Sequence, residues 1–271
     1  MAKKKVNFLV LQNLVLLLFF TVFMPSRAVF PGTENNWKTS KSTHFIIYYK
    51  NAPDTFIEEV IRKSEDLYNN IADSLGFTRF DFWLWDNRAK IYIYDSVKDY
   101  QTGTGQPVWS SGASMPKEKI IHTFVFEKGF FDMILPHELG HIIFREFVGF
   151  DNSAIPLWLD EGVASYQEKS RYSFSDDVVR RAIKDNSFFS LQKLFTIRPQ
   201  SVSDSLYVRI FYAEAVSVVG YLIKVFGKDR FVLFCQNLRD KRNFEKAMRS
   251  VYPFMTIDEF DKAWQKYLNN K

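Results

Sequence analysis

The segment His137-Glu138-Leu139-Gly140-His141 constrains the chain more than any other feature, because it places two histidines four residues apart. On an α-helix, residues i and i+4 lie one turn apart on the same face, so both imidazoles can bind one metal ion. Apolar residues around the segment supply a broad surface for burial: Ile134, Leu135, Leu139, Ile142, Ile143, Phe144 and Phe147. The pattern predicts a helix over residues 131–148, which Gly149 ends.

A second segment, Pro156-Leu157-Trp158-Leu159-Asp160-Glu161-Gly162-Val163-Ala164, supplies a candidate third ligand. The loop of residues 149–153 allows the chain to reverse, and a proline suits the first turn of a helix, which we predict over residues 156–169. Two antiparallel helices joined in this way place Glu161 opposite His137 and His141. Gly162 has no β-carbon and permits a close approach of the two helices there.

Asp160 is the alternative third ligand. It would point about 100° away from Glu161 on the same helix, so we favour Glu161 and expect Asp160 to hydrogen bond to a ligand imidazole. Two histidines and a carboxylate form the ligand set of a catalytic zinc site, which keeps a fourth position open for water. Glu138, beside the metal, can accept a proton from that water and deliver it to a leaving amine.

The two segments resemble those of the gluzincin metallopeptidases, in particular the peptidase MA-like group, which is distantly related to thermolysin and the zinc aminopeptidases. The resemblance is looser over the rest of residues 43–268. It implies a zincin-like α+β fold and one Zn²⁺ per chain, bound by His137, His141 and Glu161. It also implies that Glu138 is the general base and that the substrate is a peptide or protein.

Hydrolysis of a peptide bond also requires a group that stabilises the oxyanion formed when water attacks the carbonyl. In related gluzincins, a tyrosine or histidine downstream of the ligands supplies part of this stabilisation. Tyr212, which follows Glu161 by 51 residues, is the first candidate by positional similarity, and Tyr207 is the second. The alternative for both is a packing role, since the chain contains 13 tyrosines.

The strand predicted over residues 120–126 directly precedes the metal helix. In the related enzymes an edge strand in this position binds extended substrate, so these residues would pair with the peptide if they form the edge. Zinc aminopeptidases hold a free amino terminus with an acidic motif, whereas Gly112-Ala113-Ser114-Met115 carries no carboxylate. This difference favours an endopeptidase. We interpret His122 and His44 as structural residues.

The periodicity of the chain changes near residue 130. Before that point it predicts strands at residues 43–50, 90–94 and 120–126, a helix capped by Asp54 and ended by Gly76, and a long loop over residues 102–118. After it, the predicted helices cover residues 131–148, 156–169, 174–185, 205–226, 228–239, 243–251 and 257–269. We therefore expect an α+β domain over residues 42–270, with an α/β part (42–130) and a helical part (131–270) that share one cleft.

Residues 1–28 indicate export. Three lysines precede an apolar run from Val6 to Met24, and Ser26-Arg27-Ala28 places small residues at the two positions that a signal peptidase recognises. We predict a cleaved signal peptide followed by a linker over residues 29–41. The alternative is an uncleaved membrane anchor, since about 19 apolar residues can span a bilayer. In both cases the protein lies outside the cytoplasm: periplasmic, secreted or membrane-anchored.

The formal net charge of +5 does not indicate nucleic-acid binding. Four of the 36 basic residues lie in residues 1–28, so the remaining 32 face 31 acidic residues. We expect no nucleic-acid partner, and membrane contact only through the N-terminal segment if it is retained. Two alternatives to a peptidase stay open: a zinc-binding scaffold or interaction protein without turnover, and a zinc hydrolase acting on a non-peptide amide.

Overall fold

β-branched and aromatic residues build one sheet in the first half of the chain. The structure, a computed structural model, describes residues 36–78, 83–108, 110–125, 129–202 and 204–270. The strands within these ranges are β1 (Lys38–Lys41), β2 (Phe45–Tyr49), β3 (Ala89–Tyr94), β4 (Gly112–Met115) and β5 (Ile120–Phe124). The predicted leader (1–28) and residues 29–35 of the predicted linker lie outside the described residues.

The strand order in the sheet is β1-β2-β3-β5-β4. Strands β2, β3 and β5 run parallel, whereas β1 and β4 pair antiparallel at the two edges. Because β5 is paired on both sides, the expectation that residues 120–126 form the edge beside the metal helix is wrong. That edge is β4.

The sequence prediction missed both edge strands, since it placed β1 in a linker and β4 in a long loop. The residues of β1 are Lys-Thr-Ser-Lys and those of β4 are Gly-Ala-Ser-Met. Neither run has the large alternating apolar residues that indicate a strand. Pairing with β2 and β5, rather than local propensity, determines these two elements.

The helices of the described residues are α1 (Asp54–Leu75), α2 (Val97–Thr104), α3 (Leu135–Val148), α4 (Leu157–Tyr166), α5 (Lys169–Lys184), α6 (Leu191–Leu194), α7 (Ser205–Phe226), α8 (Lys228–Lys241), α9 (Phe244–Val251) and α10 (Ile257–Asn269). Apart from the short α2 and α6, each corresponds to a predicted helix. A small mixed sheet is therefore followed by a mainly helical half, which confirms the predicted α+β class.

Local residues explain how two of these helices begin and end. Gly76 ends α1 in a left-handed conformation with φ +78°, as predicted, but the residue at its N-terminal boundary is Pro53 rather than Asp54. A π-helical turn, Phe130–Ile134, leads into α3. Pro136 lies in the first turn of α3, directly after this π-helical turn.

Helix α7 is the central element of the helical half. In the described part of the chain it is the one helix long and apolar enough to cross a membrane, and 83% of its most apolar window is buried inside the fold. Within this fold α7 is therefore a buried core helix. Cys235 on α8 is also fully buried, and burial raises the pKa of its thiol.

Glu214 is a fully buried carboxyl group on α7. Its Oε1 accepts a hydrogen bond from the N–H of Phe189 at 2.9 Å. Asp261 on α10 accepts one from the N–H of Leu191 at 3.2 Å. Burial raises the pKa of Glu214 well above its usual value, and the charge of Asp261 adds to that rise.

Replacing Glu214 with Gln should change how stability depends on pH. The unfolded wild-type chain loses the Glu214 proton near pH 4.5, whereas the native state keeps it to higher pH, so the wild type loses stability as pH rises above 4.5. The unfolding free energy of Glu214→Gln relative to wild type should therefore rise with pH, by at most about 1.4 kcal/mol per pH unit. Denaturant titrations from pH 4 to pH 9, with exposed Glu58→Gln as control, measure this difference. A difference in unfolding free energy that does not change with pH would contradict the raised pKa of Glu214.

Candidate metal centre

Helices α3 and α4 approach closely where the predicted ligands lie. A β-carbon at Gly140 would lie 3.0 Å from Cα of Ala164, so glycine there lets the two backbones pack together. His137 and His141 lie one turn apart on α3, and Glu161 on α4 faces them. All three side chains are fully buried.

The three side chains bring nitrogen and oxygen atoms to one point. The Nε2 atoms of His137 and His141 are 3.1 Å apart. Oε2 of Glu161 lies 3.6 Å from Nε2 of His137 and 3.8 Å from Nε2 of His141. Tetrahedral zinc separates its ligand atoms by about 3.3 Å, so the three atoms outline one face of such a site. Among the described residues, no other group of three or more His, Cys, Asp or Glu side chains is close enough to hold one ion.

In each of the two imidazoles, a carboxylate contacts Nδ1, the nitrogen that faces away from the cluster. Asp160 Oδ1 lies 3.0 Å from Nδ1 of His141, as predicted, and Glu168 Oε1 lies 2.7 Å from Nδ1 of His137. Each contact favours a proton on Nδ1 and directs the Nε2 lone pair toward the cluster. Glu168 was not predicted. The sequence signal for it was a spacing of seven residues after Glu161 within the helix predicted over residues 156–169, although in the structure α4 ends at Tyr166 and Glu168 follows it in extended conformation.

Asp160 is held on its other side by Arg145. Its Oδ2 accepts hydrogen bonds from Nε of Arg145 at 2.8 Å and from Nη2 at 2.6 Å. Burial works to raise the pKa of Asp160, but Arg145 and His141 outweigh it and hold that pKa well below its usual value. Asp160 therefore contacts a predicted ligand, and it is not one of the three residues whose atoms lie close enough together to hold one ion.

The charge of the cluster suits a divalent cation. Four buried carboxyl groups surround the histidines, namely Glu138, Asp160, Glu161 and Glu168. Burial works to lower the pKa of His137, but Glu161 and Glu168 outweigh it and raise that pKa to about 10. Buried anionic groups of this kind require nearby positive charge. A divalent ion among His137, His141 and Glu161 would supply it, so these residues fit zinc.

Glu138 lies against the edge strand β4. A β-carbon at Gly112 would lie 3.2 Å from Oε1 of Glu138 and 3.0 Å from a methyl group of Ile134, so a side chain at residue 112 would crowd both groups and glycine permits this close approach. Burial raises the pKa of Glu138, while His137 and His141 act in the opposite direction. A carboxyl group with a raised pKa is suited to take up and release a proton near neutral pH.

Gly162 has a different role from the one predicted. We expected it to allow α4 to approach α3, but a β-carbon there would lie 2.5 Å from the carbonyl oxygen of Ala215 on α7. Gly162 therefore allows α4 to pack on α7, and Gly140 provides the close contact with α3. Helix α4, which carries Glu161, is held between the two.

The two tyrosine candidates both lie on α7. Tyr212 is buried, and its ring packs edge-on against Phe211. It lies one turn before Ala215, which contacts α4 at Gly162. Tyr207 is half-buried and packs against Phe189. The catalytic role of Tyr212 stays a prediction.

The two remaining histidines lie outside the cluster. His122 on β5 stacks on Tyr92, and burial lowers its pKa to about 4. His44 stacks on Tyr68, and its Nδ1 lies 2.5 Å from Oε2 of Glu65. These contacts agree with structural roles.

Comparison with protein families identifies the group to which the chain is related. The sequence model of the peptidase MA superfamily matches residues 85–270, a range that includes every residue of the cluster. The chain belongs to the peptidase MA superfamily. This confirms the resemblance to a metallopeptidase family, and the mixed sheet followed by helices agrees with the zincin-like fold expected for it.

Two solved structures show limited similarity to this peptidase MA protein. Native leukotriene A4 hydrolase from Saccharomyces cerevisiae is 13% identical with a TM-score of 0.46, and the match covers 86% of this chain and 39% of that one. The yeast enzyme in complex with bestatin is 14% identical with a TM-score of 0.43, covering 86% and 37%. The chain thus spans less than two fifths of the length of those proteins. The comparison with curated proteins gave no match.

Removing the Glu168 carboxylate should weaken metal binding. Without it, His137 loses the contact that orients its ring, and such outer contacts typically contribute about 10- to 100-fold to metal affinity. We expect Glu168→Ala to raise the zinc dissociation constant by such a factor, measured by competition with a chromogenic chelator. Glu168→Gln keeps an oxygen acceptor and should lose less zinc affinity than Glu168→Ala. Replacement of the exposed Glu58 with Ala serves as the control. Equal zinc affinity in Glu168→Ala and wild type would refute the role.

Proposed function

We propose that this chain is an exported zinc-dependent peptidase that holds one Zn²⁺ with His137, His141 and Glu161. One observation carries the proposal. These three buried side chains come from two adjacent helices, and their potential ligand atoms all lie within 4.8 Å of one another. Nitrogen and carboxylate ligands of this number favour zinc over magnesium or calcium. When bound, zinc supplies a Lewis acid that polarises a carbonyl and lowers the pKa of water.

Glu138 is the proposed general base. It follows the first histidine on α3, and its carboxyl group lies between the cluster and the edge strand β4. From there it can take a proton from the attacking water and pass it to the amine that leaves when the peptide bond breaks. Its raised pKa supports this exchange, because a carboxyl group of higher basicity accepts a proton more readily.

The edge strand β4 is the proposed binding site for extended substrate. No described strand pairs with its outer side, so a peptide could add there as a sixth strand. The contact between Gly112 and Glu138 places this edge next to the proposed base. Residues 112–115 carry no carboxylate to hold a free amino terminus. This supports cleavage within chains, as by an endopeptidase.

Export is proposed on the composition of residues 1–28 alone. A basic start, a long apolar run and small residues before residue 29 suit a signal peptide, and the same run suits a membrane anchor. In either form the peptidase would act outside the cytoplasm, as a periplasmic, secreted or anchored enzyme.

A zinc-binding scaffold without turnover is the second candidate, and one observation favours it. Glu138 is 1% exposed, and the three proposed ligands are fully buried, so these four side chains present almost no surface to solvent in this conformation. A peptide library and a set of non-peptide amides, each incubated with the protein with and without chelator, separate the candidates. Chelator-sensitive cleavage supports the peptidase, bound zinc without cleavage supports the scaffold, and cleavage of non-peptide amides alone supports a different hydrolase.

Replacing Glu138 with Gln should abolish hydrolysis and leave zinc in place. The amide cannot accept the proton of the attacking water, and general acid–base catalysis contributes about 10²- to 10⁴-fold. We expect kcat to fall by about that factor, with one zinc per chain in both proteins by atomic emission. Exposed Glu58→Gln is the matched control. Unchanged kcat in Glu138→Gln would exclude Glu138 as the base.

Tyr212→Phe should lower kcat if its hydroxyl stabilises the oxyanion. Loss of one such donor typically costs about 10²- to 10³-fold in kcat, with KM nearly unchanged because the interaction forms in the transition state. Tyr207→Phe removes the same atom from the same helix and is the comparison. A large loss in Tyr207→Phe with none in Tyr212→Phe would transfer the role to Tyr207. Wild-type kcat in both variants would leave both as packing residues.

A further inference from the structure

Arg145 is a buried charged residue that the proposed reaction does not use. It lies four residues after His141, so both side chains project from the same face of α3. Arginine is rarely buried to 9% exposure without a specific partner. Its partner is Asp160, on the facing helix α4.

The Asp160 carboxylate bridges Arg145 and the metal ligand. Oδ1 faces Nδ1 of His141 at 3.0 Å, while Oδ2 accepts two hydrogen bonds from Arg145, at 2.8 Å and 2.6 Å. A carboxylate held from one side by two N–H groups cannot rotate without losing them. Arg145 therefore fixes the direction from which Asp160 contacts the imidazole.

The guanidinium of Arg145 is itself anchored away from the cluster. Its Nη1 donates to the carbonyl oxygen of Asn152 at 3.4 Å, in the connection between α3 and α4. Asn152 Nδ2 donates at 3.0 Å to the carbonyl oxygens of Val148 and of Leu238 on α8. The arginine thus has three contacts on two sides, which a lysine with a single nitrogen cannot reproduce.

We propose that Arg145 is a positioning residue for the metal ligand His141, and that it acts through Asp160. This rests on the proposed metal site. By holding Asp160, Arg145 keeps the imidazole oriented with Nε2 toward His137 and Glu161. Because the orientation is set before the ion arrives, the side chain loses little freedom on binding and the affinity rises.

A double-mutant cycle on zinc affinity tests whether Arg145 acts on His141 through Asp160. Arg145→Met should weaken zinc binding by about 10- to 100-fold, the usual cost of losing an outer contact. In an Asp160→Asn background, the same replacement should change the dissociation constant by less than about threefold, because the carboxylate that transmits the effect is gone. Circular dichroism of each metal-free variant checks that it is folded.

Arg145→Lys provides a second cycle in case the methionine variant does not fold. Lysine keeps the charge but lacks the two parallel donors, so we expect a smaller loss of zinc affinity, again seen only with Asp160 present. An equal loss with and without Asp160, in either cycle, would overturn the proposal. Unchanged zinc affinity in the folded Arg145 variants would also overturn it.

Nitrogen-15 spectra of the imidazoles in metal-free protein give a readout that does not depend on zinc. We expect the hydrogen bond at Nδ1 of His141 in wild type, and its weakening in both Arg145 variants. An unaltered Nδ1 signal would refute the positioning role. If the wild type binds no zinc, the proposed function fails, but this measurement still decides whether Arg145 orients His141.

Discussion

Burial of a charged cluster between α3 and α4 is the constraint on which the rest of the site depends. Groups such as Glu161 and Asp160 are stable inside a fold only when each has a counter-charge or hydrogen-bond partners. Arg145 meets this need for Asp160, and Nδ1 of His137 meets it for Glu168. A divalent ion would complete the balance at the centre, so metal binding and the stability of the two-helix core should be linked.

The helical half holds α4 at a fixed distance from α3. Gly140 removes a side chain on one side of α4 and Gly162 on the other, so α3, α4 and α7 pack with almost touching backbones. Glu161 extends from the middle helix of these three. Because Gly162 on α4 packs against Ala215 on α7, the position of α7 helps to set where Glu161 lies relative to His137 and His141.

Prediction from the sequence succeeded where the periodicity of apolar residues and the chemistry of the side chains indicated the same element. The helices α3, α4 and α7 and the meeting of His137, His141 and Glu161 follow from spacing and apolar patterning. Glu168 and Arg145 were not found, because their roles depend on which face of a neighbouring helix they meet. The contact of Gly162 was assigned to the wrong helix for the same reason: spacing along one helix does not show which partner packs on it.

The edge strand β4 shows why prediction failed beside the site in particular. A β-carbon at Gly112 would crowd Glu138 and Ile134, at 3.2 Å and 3.0 Å, and the residues that follow it are small or flexible. These residues have low strand propensity, so local pattern indicated a loop. The close contact between Gly112 and Glu138 thus favours a residue without a side chain at the start of β4. At that position, packing against a neighbouring helix opposes the residue types by which a strand is recognised.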